Sequence, residues 1–536
     1  MPPVKRLLPI ALALALAACA HAPEVPPPAE VAPPVPVAPP PVVPAIDRIR
    51  ADVDALLAAQ GKATWLAWTT GAPLDVAGPM RGREWIADGS ALSALDAMPA
   101  ASDPAEEGRR RMLRDFLLGE RLAAAVAPLP GAAPADLTFS FEGRTVALRD
   151  TASMLAAEPD AVRRAALDAA RAPASARAAA AADASAAAHA DAVRRLGLGD
   201  PLSVAAELRR ASPDALAALA AATLDATGPA YCAAMDALAR GETGSSLAAT
   251  HLRDLPRILR ASHEPKAHPA SRLVADGQAA AASAGVDLAA RVKLDDRVAA
   301  DKSQRPLAVP VQVPGDVRLS TMPSGGASEA RAFLHELGVA LFYSGIQAEA
   351  VEVRRLGSPA VAATWGYLFE GLAADPAWLQ DRSGIVGHGL AREIRAAQAE
   401  RLHAVRMQAA RLLREVERSR GAAPGAAGDA KVLARALCRP VGTDDAARWP
   451  IARDPLLSSA DGLRGALLAA QIEAALAEKG GGPWWRWKGT PGWLAPIWAA
   501  GAVANPDELA RSAGVGALSA EPLARAARSR FDAAGW

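Results

Sequence analysis

Apolar residues along most of this chain recur at the three- and four-residue spacing of helices that bury one face. The pattern predicts helices over residues 46–60, 104–127 and 151–195, and again over 203–240 and 268–285. Residues 172–192 are almost pure Ala, Ser, Asp and Arg, which reads as a surface helix because Ala with interspersed charge favours helix. Period-two alternation is confined to two places. Residues 137–148 alternate around Glu142-Gly143 and predict a small hairpin. Residues 306–321 predict two strands joined by a Pro-Gly-Asp turn. A Gly325-Gly326 turn then leads to Ser328, read as an N-cap, and to a helix over 329–343. Further helices are predicted over 358–373, with Pro359 near the start, over 390–420 and over 454–479. The tail, 483–498, carries Trp484, Trp485, Trp487, Trp493 and Trp498. Residues this large pack helices onto a core. The interleaved Arg486 and Lys488 leave a ligand- or membrane-facing patch as the alternative.

Composition sharpens the fold class. Hydrophobic residues make up 51 %, much of it Ala, while aromatics are only 4 %. Ala, Leu, Arg and Glu lose little side-chain freedom in helices, so the body is expected to be mainly α with a small β element. The 536 residues suffice for one large body or two to three ordinary domains. The 59 basic and 58 acidic residues leave a formal charge of +1, which gives no electrostatic reason to expect nucleic acid as a partner.

The N-terminus predicts export and anchoring. Lys5 and Arg6 precede an apolar run, Leu7 to Leu16, too short to span a bilayer. The run ends in Leu16-Ala17-Ala18-Cys19, which resembles the lipobox of bacterial lipoproteins. Residues 1–18 are thus read as a signal peptide and Cys19 as the lipidated residue that holds the protein to a membrane. Ala20, in place of Asp, points to the outer membrane. Half of residues 23–44 are proline, so 19–45 is expected to be an extended polyproline tether. Export permits a disulfide between Cys232 and Cys438; two unpaired buried thiols are the alternative.

The chemistry centres on Phe333-Leu334-His335-Glu336-Leu337-Gly338-Val339-Ala340-Leu341. Zinc peptidases carry His-Glu-x-x-His on a helix, where positions i and i+4 share a face and the Glu activates a metal-bound water. Here His335 and Glu336 are present, but Val339 stands where the second His belongs. The order of strand, Pro-Gly turn, strand, Met322-Pro323-Ser324-Gly325-Gly326 and then His335-Glu336-Leu337-Gly338 resembles zinc peptidases of the thimet-oligopeptidase and angiotensin-converting-enzyme type. Ser358-Pro359, Trp365 to Glu370, Asp375 to Leu379, Trp493 to Trp498 and Asn505 to Leu509 continue the likeness in order over most of residues 46–536. The resemblance implies a large two-lobed helical zincin-like body around a cleft, with an N-terminal lobe over 46–300 and a C-terminal lobe over 301–536.

The departures carry the functional expectation. The family's third ligand is a Glu some 24 or 25 residues after the second His, and that count lands on Ala363 or Thr364; aligning on Ser358-Pro359 lands near Gly357. The family's late Tyr and His are missing from 454–479, and the whole chain has only Tyr231, Tyr343 and Tyr367. His335 is thus read as a vestigial ligand, Glu336 as a vestigial general base, and zinc as lost. Glu349, Glu352 and Glu370 could rebuild a metal site; His263 and His268, read as pointing to different faces around Pro265, and the isolated His388 and His403 are weaker candidates. The function expected is a non-catalytic envelope lipoprotein that binds peptides or a partner in the former cleft, with strand 306–321 as an edge for an added peptide. An active oligopeptidase with rearranged ligands and a structural protein with a closed cleft are the alternatives. Substituting Cys19→Ser is expected to abolish acylation, read by mass spectrometry of the N-terminal peptide and by release from the membrane fraction.

Overall fold

A computed structural model describes residues 46–126, 137–422, 425–451, 453–454 and 456–535; the lipobox, Cys19 and the proline tether lie outside them. In chain order, α1 spans Ile46–Thr70, and a hairpin of β1 (Thr138–Phe141) and β2 (Arg144–Ala147) follows. Next come α2 (Ala161–Arg195), α3 (Pro213–Thr243) and α4 (Leu255–Ala261). A small sheet is built from β3 (Lys293–Asp295), β4 (Leu307–Gln312) and β5 (Asp316–Ser320). The rest is helical: α5 (Ala327–Gly345), α6 (Pro359–Glu370), α7 (Gly387–Ser419), α8 (Ala426–Leu437) and α9 (Ser459–Gly480), with further helices between them and the 22-residue helix Pro104–Ala125 ahead of the hairpin. The body is mainly α, as the pattern predicts.

Prolines explain where two expected helices divide. The stretch 151–195 breaks between Thr151–Ala157 and α2 because Glu158 precedes Pro159 and is driven to extended backbone. Asp160 then caps α2 by accepting from the Val162 N–H. Likewise 203–240 is Pro201–Arg209 followed by α3, with extended Ser212 before Pro213. Ser328 does not cap α5, which starts two residues earlier than expected, at Ala327 with Gly326 as the N-cap. Glu329 in the first turn instead reaches back to the backbone N–H groups of Ser324 and Gly325. The hairpin turns on Glu142 and Gly143, both at positive φ, as a tight two-residue connection requires.

The larger sheet has the order β3-β5-β4, with β3 parallel and β4 antiparallel to β5. Strand β3, only three residues long, is not apparent from the sequence pattern. Strand β4 is an edge, but its outward groups are occupied. The Ala308 N–H donates to Glu336 Oε2 at 2.8 Å, Pro310 has no N–H, and Arg355 donates to the Val311 carbonyl at 3.1 Å. Gly61 of α1 lies so close to Val311 that a Cβ would sit 3.1 Å from its Cα. The edge expected to receive an added peptide is thus covered by the protein itself.

Two apolar cores share α9. One joins α3 and α4 to α7, α8, α9 and the C-terminal helix Glu521–Ala533, and so draws on both sides of residue 300. Cys232 of α3 is disulfide-bonded to Cys438, just past α8, with Cα atoms 5.5 Å apart. The other core packs α5, α6 and α9 with Trp484 and Trp498, both buried; Trp498 meets Trp365 edge-on at 5.7 Å. The tryptophan tail therefore packs helices. Helix α6 is gripped from two sides. A Cβ on Gly465 of α9 would come within 2.9 Å of the Ala363 Cβ, and one on Gly338 of α5 would collide with the Trp365 carbonyl. That crossing sets the distance between α5 and α6. Gly338→Ala is expected to lower stability by about 1–3 kcal/mol, measured by urea unfolding, because backbone on both sides must part.

A buried charge relay at the candidate site

On α5, residues 331, 335 and 339 share one face, which presents Arg331, His335 and Val339 towards α6 and α7. On α6, Gly366 and Glu370 are one turn apart, and Ala363 lies two turns before Glu370 on the same face. Helix α7 contributes Glu393 and Glu400, again two turns apart. The loop after α4 contributes His263 and His268.

These side chains form one alternating chain of charge. His335 Nδ1 is 3.0 Å from Glu370 Oε2. Arg331 donates to Glu370 Oε1 at 2.6 Å and pairs with Glu400 Oε2 at 2.6 Å. His263 Nε2 meets Glu400 Oε2 at 3.2 Å, and its Nδ1 meets Glu393 Oε1 at 2.9 Å. His268 Nε2 reaches the same Glu393 oxygen at 3.2 Å, and the Glu264 N–H donates to the other at 2.8 Å. His263 has a carboxylate on each ring nitrogen, so both nitrogens must donate and the ring is an imidazolium. Burial alone would discharge these groups, but their partners outweigh it. Burial opposes charge on His263, yet Glu393 and Glu400 raise it to about 9. Burial opposes ionisation of Glu370, yet Arg331 and His335 hold it at about 2. Glu393 is held at about 2 by the two histidines against its burial. Glu400 lies well below the usual carboxylate range despite burial, chiefly through Arg331. His335 is raised above the ordinary imidazole value because Glu370 more than offsets desolvation.

The residues expected to matter are placed as follows. Gly366 lies so close over the face of the His335 ring that a Cβ there would sit 2.6 Å from Nε2 and 2.8 Å from both ring carbons beside it. Its other face meets Tyr367 edge-on at 4.8 Å, and the Tyr367 hydroxyl accepts from Gln408 at 2.6 Å. Glu336 points the other way, to the Ala308 N–H, and burial raises its carboxyl. Val339 packs against the apolar core. Ala363 meets Gly465, and the buried Thr364 hydroxyl bonds to the Ala360 carbonyl at 2.8 Å. Gly357 packs on Ala502. Of the three carboxylates, Glu370 alone reaches His335. Glu352 is buried against Arg50 at 2.6 Å, and Glu349 is exposed. His263 and His268 do not sit on opposite helix faces: Pro265 lies in a loop after α4, and the loop turns both rings onto Glu393. His403 bonds the Tyr231 hydroxyl at 2.9 Å and is pushed down to about 4 by burial; His388 is exposed. Arg331, Glu393 and Glu400 were not singled out from the sequence. Arg331 could have been found four residues before His335, and the two glutamates by their seven-residue spacing.

Whether zinc fits is decided by donors. Of the three positions expected to carry ligands, His335, Val339 and Ala363, one has a coordinating atom, and its Nδ1 is already on Glu370. Glu370, the nearest replacement, is clamped by Arg331. Among the described residues no group of three or more His, Cys, Asp or Glu side chains is arranged to hold a metal ion. Those three positions offer one donor where a catalytic zinc needs three.

The relay sets a pH dependence. His263 has its folded value raised from 6.5 to about 9, so its contribution is fully present below about pH 6.5 and is lost as pH rises through about 9. Glu370 and Glu393 are lowered from 4.5 to about 2, so theirs is present above about pH 4.5 and lost towards pH 2. Stability measured by urea unfolding is expected to fall by about 3 kcal/mol between pH 6.5 and 9.5, and His263→Gln should flatten that limb. Arg331→Gln strands two buried carboxylates and is expected to cost about 3–5 kcal/mol at pH 7.

No protein-family model matches the chain, and no curated protein matches it. Among solved structures, the chain is similar to the M32 carboxypeptidase from Deinococcus radiodurans R1, with a TM-score of 0.58 and 15 % identity over 91 % of this chain and 98 % of that one. The fold is thus that of a mainly helical, zincin-like peptidase.

Proposed function

We propose that this chain is a non-catalytic, metallopeptidase-derived lipoprotein of the cell envelope that binds peptides or a partner protein in its former cleft. The reading includes common descent with helical zinc peptidases, the thimet-oligopeptidase and angiotensin-converting-enzyme types among them. It rests above all on Arg331. Beside His335, two buried carboxylates need a cation, and a guanidinium tied into α5 supplies it. A catalytic zinc needs three protein ligands and an open position for water, and His335 with Val339 and Ala363 offers one ligand. Without the metal, no water is acidified for Glu336 to activate, and Glu336 has taken up the Ala308 N–H instead. The Cys232–Cys438 disulfide suits an oxidising, extracytoplasmic compartment. Among the described residues no helix is long and apolar enough to cross a membrane, so attachment in this reading falls to the lipid on Cys19, at the outer membrane.

A rebuilt metal site is the second reading, favoured by the 3.0 Å approach of Glu370 to His335. Metal analysis and peptide cleavage separate the two. The purified chain is expected to carry no stoichiometric zinc, to bind unstructured peptides at equilibrium and to leave them intact. Val339→His alone should not restore zinc, because Arg331 still occupies Glu370. One tightly held zinc per chain, with cleavage that stops on chelation, would establish the second reading instead.

A further inference from the structure

Beyond the metal question, Glu400 and His403 of α7 also line a cavity of about 440 Å3 on the far side of the charge relay. This is within the size range of small-molecule sites. Its walls come from α2, α4, α7, α8 and the segment 448–450. Leu252, Leu255, Leu259, Leu433 and Leu437 are buried and form an apolar floor, with Met407 beside them. The polar residues inside are already engaged. Glu400 is held by Arg331 and His263, and His403 by Tyr231. Arg171 pairs with Asp168 at 2.9 Å, donates to the Arg448 carbonyl and lies 3.7 Å over the Trp449 ring. On the rim, Arg260 is exposed and donates to the Ser153 hydroxyl at 3.1 Å, and Arg448, a third exposed, pairs with Asp168 at a long 3.4 Å and with Asp445 at 3.9 Å.

We infer that this cavity is a binding site for a single-chain anionic amphiphile, with an alkyl tail over the leucine floor and a carboxylate head at Arg260 and Arg448. An alkyl chain needs no hydrogen-bond partner. A peptide backbone threaded into the same space would lose water and find donors and acceptors that are already committed. A head group carrying negative charge would meet Arg260 in place of the neutral Ser153 hydroxyl, and Arg448 in place of its long 3.4 Å contact with Asp168. The inference does not depend on the metal site being lost, since neither His335 nor Glu370 lines the cavity.

The test is calorimetric titration of the full chain, carrying Cys19→Ser so that no detergent is needed, with hexanoate, octanoate, decanoate and decanol. Saturable one-to-one binding is expected, tightening about fourfold for each added methylene. Arg260→Gln with Arg448→Gln, both at the surface, should weaken decanoate about tenfold and leave decanol unchanged. Leu433→Trp, which fills the floor, should abolish binding of both. If Leu433→Trp fails to fold, the chain-length series and the arginine pair still decide. No saturable decanoate binding, affinity independent of chain length, or equal loss of decanol in the arginine pair would each overturn the inference.

Discussion

Three carboxylates, Glu370, Glu393 and Glu400, are drawn into the space between α5, α6, α7 and the loop after α4, and the surrounding structure is organised to neutralise them. Burying a lone carboxylate is costly enough that it would bind a proton instead. Here each finds a cation: Arg331 bridges Glu370 and Glu400, and His263 bridges Glu400 and Glu393, while the rings of His335 and His268 bond at the two ends. Because Arg331 and His263 are each shared, removing either leaves two carboxylates short of a partner.

The relay also accounts for the packing around it. Arg331 and His335 must reach α6 at one level of the helix, and the glycine crossing of Gly338 with Gly366 brings α5 and α6 close enough for that. The same closeness packs the face of the His335 ring on the α6 backbone at Gly366. Glu336 turns from the relay to the edge of β4, where it satisfies a backbone donor that would otherwise be exposed to another chain.

Much of the architecture was legible beforehand. Helix periodicity, the Glu142-Gly143 turn, the paired strands of 306–321 and Pro359 are local signals that place most elements within a few residues, while Pro159 and Pro213 divide two stretches that periodicity alone runs together. The boundaries that shifted did so for local reasons of capping, as at Ser328, where Glu329 competes for the same turn. The likeness in residue order to zinc peptidases pointed to the fold that the solved carboxypeptidase shares. The three-residue β3 carried too few positions to alternate visibly.

By itself the sequence determined the helical class, the motif helix and the residues at its ligand positions, because periodicity and residue type need no partner to be read. Only the tertiary structure decided what His335 and Glu336 touch, which of three glutamates comes near, and that Cys232 and Cys438 pair across 206 residues. Charge pairing is a property of distance in space. Arg331, Glu370, Glu393, Glu400 and His263 come from four separate segments, and nothing in their local sequence records that one fold brings them together.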